Sequence, residues 1–356
     1  MSMDIPQEEI ITKKRPLRNF MIVFVLSFLA IAGIAVYLIL PPASFTQDET
    51  IVINKGDNLG AVADRLESQK VIKSSLALKI LARLLNTEKM IITGYYRVKT
   101  NSTLLDVHDL IISGHLETLK VTIPEGWTKK KMAERFESLG LTSIEEFYEA
   151  CRSPELLEKY GVPGLDFEGY LFPDTYTFPR GVAAEGIVDS MVYNFFKIIK
   201  RIEPDYESWG MKKLHDKIIM ASIIEREYRI KEEAPIIASV FYNRLRRNVG
   251  LESCATLEYV ITVIQDKEHP KFITREMQNI DSEYNTYKWA GLPPGPISNP
   301  GFVALDAAFN PAITDYWFFV VKDTETGEHY FSEDLDTHNE AKYFYLKGIG
   351  RAPEEE

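Results

Sequence analysis

The segment Met220-Ala221-Ser222-Ile223-Ile224-Glu225-Arg226-Glu227 sets two carboxyls directly after an apolar run. A carboxyl held among isoleucines loses hydration, so its charged form is disfavoured and its pKa rises toward the range of a general acid at neutral pH. Helical spacing leaves both acids open: Leu214, Ile218, Ala221, Glu225 and Tyr228 make one row, and Met220, Ile223, Glu227 and Ile230 make another. The alternative for either is a surface ion pair at i,i+4, Glu225 with Arg229 or Glu227 with Lys231. Other chemistries find no motif, since Ser-x-x-Lys, Gly-x-Ser-x-Gly and phosphate-cradling glycine loops are all absent. Two cysteines, Cys151 and Cys254, and six scattered histidines show no zinc spacing. No metal or cofactor is therefore expected, and the thiols read as free or buried small hydrophobes.

These acids belong to a chain of 356 residues, long enough for two or three domains. Hydrophobic residues make up 45% and charged residues 26%, which excludes a disordered or collagen-like chain. A net charge of −11 with no basic stripe argues against nucleic acid as a partner. Residues 20–40, FMIVFVLSFLAIAGIAVYLIL, carry no charge. At 1.5 Å per residue they reach about 31 Å, the thickness of a bilayer hydrocarbon core. Lys13, Lys14, Arg15 and Arg18 precede this stretch and Gln47, Asp48 and Glu49 follow it, which places the N-terminus in the cytoplasm. The stretch is longer than a signal-peptide core and ends in Leu40-Pro41-Pro42 rather than a small-x-small site, so it reads as an uncleaved anchor in contact with membrane lipid. Residues 1–18 hold four basic and three acidic side chains, which leaves −12 on the exported residues 41–356.

An internal similarity recurs at an offset of 70 residues: Ile53-Asn54-Lys55-Gly56 then Ala63-Asp64-Arg65-Leu66-Glu67-Ser68, and Ile123-Pro124-Glu125-Gly126 then Ala133-Glu134-Arg135-Phe136-Glu137-Ser138. Each copy predicts a strand, a glycine turn and an amphipathic helix. Thr93 to Val98 reads as a strand, and Thr103 to Ser113 as a helix with apolar Leu104, Val107, Leu110 and Ile111. Glu168 to Tyr176 (EGYLFPDTY) reads as a loop shaped by Gly169 and Pro173. Helices are expected over 185–202, 214–230 and 235–247, then a rigid loop at 291–296 (GLPPGP), which reads as the wall of a cleft. Trp317 to Val321 reads as a strand, and Gly327 as the turn before Tyr330-Phe331. The fold class is α+β: one N-terminal transmembrane helix, small α+β units and a mixed α+β domain with a cleft.

The first copy of the repeat resembles the LysM family of carbohydrate-binding modules, which dock N-acetylglucosamine-containing glycans beside a strand-to-helix turn. Its alternative is a spacer. The whole order of anchor, LysM-like unit, EGYLFPDTY, ASIIERE, Ala238-Ser239-Val240-Phe241-Tyr242-Asn243-Arg244-Leu245, Tyr284-Asn285-Thr286-Tyr287 and GLPPGPISNPG resembles the endolytic murein transglycosylase family (MltG, or YceG-like proteins). The resemblance implies a tail at 1–19, a transmembrane helix at 20–40, a LysM-like domain at 48–118, a second small α+β subdomain at 119–158 and a transglycosylase catalytic domain at 159–350. It also implies that the glutamate of ASI-[IV]-E is the acid/base, which selects Glu225 over Glu227. That residue would cleave the β-1,4 bond between N-acetylmuramic acid and N-acetylglucosamine and close a 1,6-anhydro ring, acting without cofactor or metal.

Tyr170, Asn243, Arg244, Thr256, Tyr284, Asn285 and Tyr287 are the expected substrate contacts; for Asn243 and Arg244 the alternative is holding the catalytic helix. Many relatives read Gln-Ser-Asp-Pro-Thr where this chain has Glu252-Ser253-Cys254-Ala255-Thr256, so a thiol replaces an acid. Implied partners are peptidoglycan strands and, close by, peptidoglycan synthases (penicillin-binding proteins), at the outer face of a bacterial cytoplasmic membrane. A muramidase cutting the same bond would need a second acid, for which Glu168, Asp174, Glu227, Glu232 and Glu252 stand available. The other alternative is a non-catalytic glycan-binding scaffold.

Overall fold

The computed structural model describes residues 15–347 apart from Lys55. Most of the expected cytoplasmic tail, with Lys13 and Lys14, lies outside the described residues, as do 348–350 of the expected catalytic domain. The apolar stretch is helix α1 (Arg15–Ile39). Its span Arg18–Ile39 is long and apolar enough to cross a membrane, and none of its most apolar stretch is buried in protein. The chain divides into two compact units at Leu119/Lys120, and α1 belongs with the first.

In the first unit β1 (Glu49–Ile53) is followed by α2 (Leu59–Ser68), α3 (Ser75–Leu84), β2 (Gly94–Val98) and α4 (Leu104–Ser113). β1 and β2 pair antiparallel, with Ile51 opposite Tyr96 and Ile53 opposite Gly94. The inward side chains Ile51, Ile53, Tyr96 and Val98 meet Val62 and Leu66 of α2, Leu78 and Ala82 of α3, and Val107 and Ile111 of α4. Polar side chains start each helix: Asn58 and Ser74 accept the third-residue N–H, and Thr103 makes a capping box with Asp106.

The second unit begins by repeating the pattern, with β3 (Thr118–Thr122), Gly126 and α5 (Lys129–Ser138). Gly56 and Gly126 take the same left-handed backbone, φ 92° and 73°, which is why both copies carry glycine there. Then come α6 (Ile144–Cys151), α7 (Pro154–Tyr160), β4 (Thr175–Pro179), α8 (Ala184–Ile202), α9 (Met211–Glu227), α10 (Ala234–Arg246) and α11 (Cys254–Tyr259). α12 (Phe302–Phe309), β5 (Phe318–Val321), β6 (His329–Ser332) and α13 (Leu335–Lys347) complete it. β3 pairs with β4, so the end of EGYLFPDTY is a strand rather than loop. The stretch from Lys120 through α7 lies within the second compact unit.

α9 is buried on most of its circumference, and it packs against α12, α10 and α11. It stops at Glu227, three residues short of the expected end, because Tyr228 turns to an extended conformation (ψ 150°) after its N–H bonds Ile224 O. With the helix ended, Arg229 and Lys231 lie off its face, and the two glutamates find other partners.

The EGYLF loop is locked to GLPPGPISNPG by close packing. Gly169 has φ 88°, and a Cβ there would stand 2.4 Å from Pro296 Cβ and 2.5 Å from its Cγ. Gly169→Ala is expected to cost on the order of 3 kcal/mol, from backbone strain plus a clash with a ring that cannot rotate away. Chemical denaturation of the full chain reads this directly, and an unchanged midpoint would show that the two loops separate at little cost.

Candidate active site

α9 is stitched in place at Ser222, shortly before its C-terminal end. Ile297 N–H donates to Ser222 Oγ (3.0 Å), and Ser298 Oγ donates to Ser222 O (2.9 Å), so the ISNPG segment lies along the helix that carries the acids. Asn299 then ties three loops together. Its Oδ1 accepts from Gly169 N and Leu171 N, each at 2.9 Å, while its Nδ2 donates to Trp127 O at 2.9 Å and Glu168 Oε1 at 2.8 Å. The Glu168 carboxyl, buried and also accepting from Lys129 N, is pushed up to about 7 by desolvation. Asp174 accepts from Asn194 at the surface and is no partner to either acid of α9.

Two residues apart on a helix means about 200° around its axis, so Glu225 and Glu227 face different surroundings. Glu225 Oε2 accepts the Gly301 N–H at 2.9 Å, at the start of α12. Gly126 lies against it: a Cβ added there would be 3.4 Å from Glu225 Cγ. Burial raises the Glu225 carboxyl to about 8, with nearby Glu125 raising it further and the Gly301 bond opposing. Sequence reasoning missed Glu125, whose signal was its place in the repeat, where the first copy has Lys55.

A carboxyl that stays protonated in the fold makes stability depend on pH. The unfolded chain releases this proton near pH 4.5, whereas the folded chain keeps it up to about 8, so the folded state binds more protons in that window and loses stability as pH rises through it. Glu168 acts with the same sign up to about 7. Glu225→Gln is therefore expected to flatten the fall in melting temperature most clearly between pH 7 and 8; an unchanged slope there would contradict a buried, protonated Glu225.

Glu227 lines a cavity of about 310 Å³ together with Phe241, Arg244, Leu251, Glu252, Ser253, Cys254, Gln278, Tyr287, Phe318, Phe319, His338 and Lys342. Ser253 Oγ donates to Glu227 Oε1, and desolvation raises this carboxyl as well. Arg244 binds Glu252 Oε2 at 2.8 Å and lies 5.3 Å over the Phe318 ring. Tyr287 OH and Cys254 Sγ are 3.0 Å apart, which puts the thiol that departs from the expected acid on the cavity wall. Cys254 is exposed and Cys151 buried, and both are free. Glu252 holds φ 53° with its N–H on Thr286 O, an uncommon backbone for a residue with a side chain.

Of the seven expected contacts, Arg244 and Tyr287 share this cavity and the others do not line it. Tyr170 is 1% exposed and its hydroxyl bonds His215 Nδ1 at 2.6 Å, so it is core. Asn243 donates to Thr314 O and Tyr316 O, holding the approach to β5. Thr256 and Asn285 are fully buried; Thr256 bonds Ser253 O, and Asn285 donates to Gln278 O and Ile280 O while ordering Tyr287 through its N–H. Tyr284 packs 5.2 Å from the Tyr259 ring and reaches Gly295 of the proline loop. Tyr170, Asn243, Thr256 and Asn285 thus spend polar atoms on the protein's own hydrogen bonds, while Tyr284 packs its ring. The proline loop walls a different cavity of about 510 Å³ beside His215 and Lys212. Glu232 lines neither cavity. Among the described residues no three His, Cys, Asp or Glu side chains gather as a metal site.

Sequence spacing allowed both acids, and the structure gives each its own surroundings: Glu225 meets Gly301, Gly126 and Glu125, and Glu227 meets Ser253 and the cavity.

Comparison with known proteins gives a consistent picture. A family model described as the YceG-like family matches residues 51–343. A protein of Bacillus subtilis named endolytic murein transglycosylase is 28% identical over 86% of this chain and 88% of its own length. One of the same name from Streptococcus pneumoniae is 28% identical over 82% of this chain and 57% of its own length. A crystal structure of a yceG-like protein from Listeria monocytogenes superposes with a TM-score of 0.55, at 29% identity, over 82% of this chain and 98% of that one.

Proposed function

The chain belongs to the YceG-like family, and on that premise we propose that it is an endolytic murein transglycosylase whose acid/base is Glu225. The observation that carries the choice of acid is the setting of Glu225 at the end of α9, where burial raises its carboxyl to about 8 and Gly126 and Glu125 lie close by. A carboxyl so raised holds its proton at neutral pH, so it donates that proton to the glycosidic oxygen between N-acetylmuramic acid and N-acetylglucosamine as that bond breaks. The carboxylate left behind takes the proton of the muramic C6 hydroxyl as its oxygen bonds C1, which closes the 1,6-anhydro ring and returns Glu225 to its starting state. Gly301 N–H, bonded to Oε2, orients the carboxyl. One acid suffices for both steps. Glu227, whose Oε1 accepts from Ser253 Oγ, shares the cavity of about 310 Å³ with Arg244 and Tyr287 on another face of the helix end.

The same reading places the enzyme at a bacterial cytoplasmic membrane. α1 is its single anchor, the N-terminus lies in the cytoplasm and the two folded units lie outside, where nascent glycan emerges. Tethering confines the site to that layer and raises its effective concentration there. The first unit is LysM-like, which is supported by its strand, glycine turn and capped helix. It would hold the strand while the second unit cuts and so ends glycan polymerisation, near the synthases. Mass spectrometry of glycan strands incubated with the full chain tests the reaction. Fragments ending in 1,6-anhydromuramic acid are expected; reducing ends would make it a muramidase, and binding without cleavage a scaffold.

A further inference from the structure

Helix α3 carries an apolar stripe that its own unit does not cover. Leu78 and Ala82 face the core, but Leu76, Ile80 and Leu84, at i, i+4 and i+8, are 64%, 51% and 75% exposed. The three cover about 12 Å along one side of the helix. An isolated exposed leucine is ordinary, whereas a row on one helix face marks a surface that something occupies.

Three observations on this chain identify the occupant. First, the start of α3 is held at the end of α1: Lys73 Nζ donates to Tyr37 O at 2.9 Å and lies 3.9 Å from the centre of the Tyr37 ring. Second, Ile39, the last residue of α1, packs on the core of the first unit, so that unit follows the apolar helix with no free linker. Third, residues 70–90 contain Lys70, Lys73, Lys79, Arg83 and Lys89 against one acid, Glu88, in a chain whose net charge is −11; Lys79 pairs with Asp64 and Arg83 with Glu88, which leaves the local excess on Lys70, Lys73 and Lys89. A helix with leucines on one side and basic residues around it, beginning where an apolar helix ends, matches the headgroup region of an anionic bilayer.

The geometry points to α3 as an interfacial helix that lays Leu76, Ile80 and Leu84 into the outer leaflet of an anionic phospholipid membrane, a second contact beside α1. It rests on the reading of α1 as membrane-spanning. The consequence for function is orientation. Packing at Ile39 already joins the first unit to the span, and a second contact sets the tilt of that unit against the surface.

The test uses the full chain, one copy per nanodisc, in phosphatidylcholine with phosphatidylglycerol whose acyl chains are either plain or brominated. The native tryptophans, 127, 209, 289 and 317, all lie in the second unit and give the baseline. Ile80→Trp reports α3 and Phe28→Trp reports α1. Both added tryptophans are expected to emit to the blue and to lose roughly half or more of their intensity in brominated discs, Ile80→Trp less so without phosphatidylglycerol. Quenching at position 28 with none at 80 would overturn the inference while leaving the span intact. Blue emission at 80 without quenching would mean that protein, such as a second copy, covers the stripe, and would also overturn it. Quenching at neither position would reject the span and the interfacial helix together.

Discussion

Glu225→Gln is expected to lower strand cleavage by on the order of a thousandfold, while Glu227→Gln stays within about tenfold of the parent. Glutamine keeps the shape of each side chain but cannot give up a proton. At position 225 the amide oxygen still accepts the Gly301 N–H, which preserves the link to α12, so the fold survives and only the proton transfer is lost. At position 227 the amide oxygen still accepts from Ser253, and the side chain still lines the cavity with Arg244 and Tyr287. Neither variant should melt below the parent near pH 6, and that check separates a dead enzyme from an unfolded one. The reverse pattern, an inactive Glu227→Gln beside an active Glu225→Gln, would move the chemistry to the cavity shared with Arg244 and Tyr287 and reject Glu225 as the acid.

Asn299→Ala is expected to be the most damaging substitution to stability, on the order of 4 kcal/mol or more. Its amide makes four hydrogen bonds, to Gly169 N, Leu171 N, Trp127 O and Glu168 Oε1, at a site with no exposed surface. Alanine strips a partner from every one of these groups, and each buried group left unpaired costs about 1–3 kcal/mol. Asn299→Asp separates hydrogen bonding from charge. It keeps both acceptor bonds but sets a second carboxyl beside Glu168, which burial already raises to about 7. The two must then share a proton, so this variant should stand nearer the parent at pH 5.5 than at pH 8, whereas the Asn299→Ala deficit, which grows only by the loss of one bond that lowers Glu168, should change less between them. Denaturant titrations at the two pH values measure this, and an Asn299→Ala midpoint within error of the parent would show that the three loops are held by packing alone.

The local elements were legible because their determinants are local. The span at 20–40 needs only an uncharged run, and the repeated strand, turn and helix need only a period of apolar residues around Gly56 and Gly126. Helix α12 was missed for the opposite reason: its apolar residues, Phe302 to Phe309, follow a proline-rich loop and show no stripe, since nearly every side of that helix is covered by neighbours. The length of α9 was overestimated because Tyr228 and Ile230 continue its period although the backbone has already turned.

The candidate site divides the same way. Sequence alone settled that an acid after an apolar run would be desolvated, and both Glu225 and Glu227 are raised. It also brought forward Arg244 and Tyr287, which do meet at one cavity. That Glu227 and not Glu225 lines that cavity, and that Tyr170, Thr256 and Asn285 are buried, was decided by the tertiary structure alone. The reason is physical: a residue's type sets what chemistry it is capable of, but the direction its side chain takes, and whether water or substrate reaches it, depends on segments dozens of residues away folding over one face of the helix and not the other.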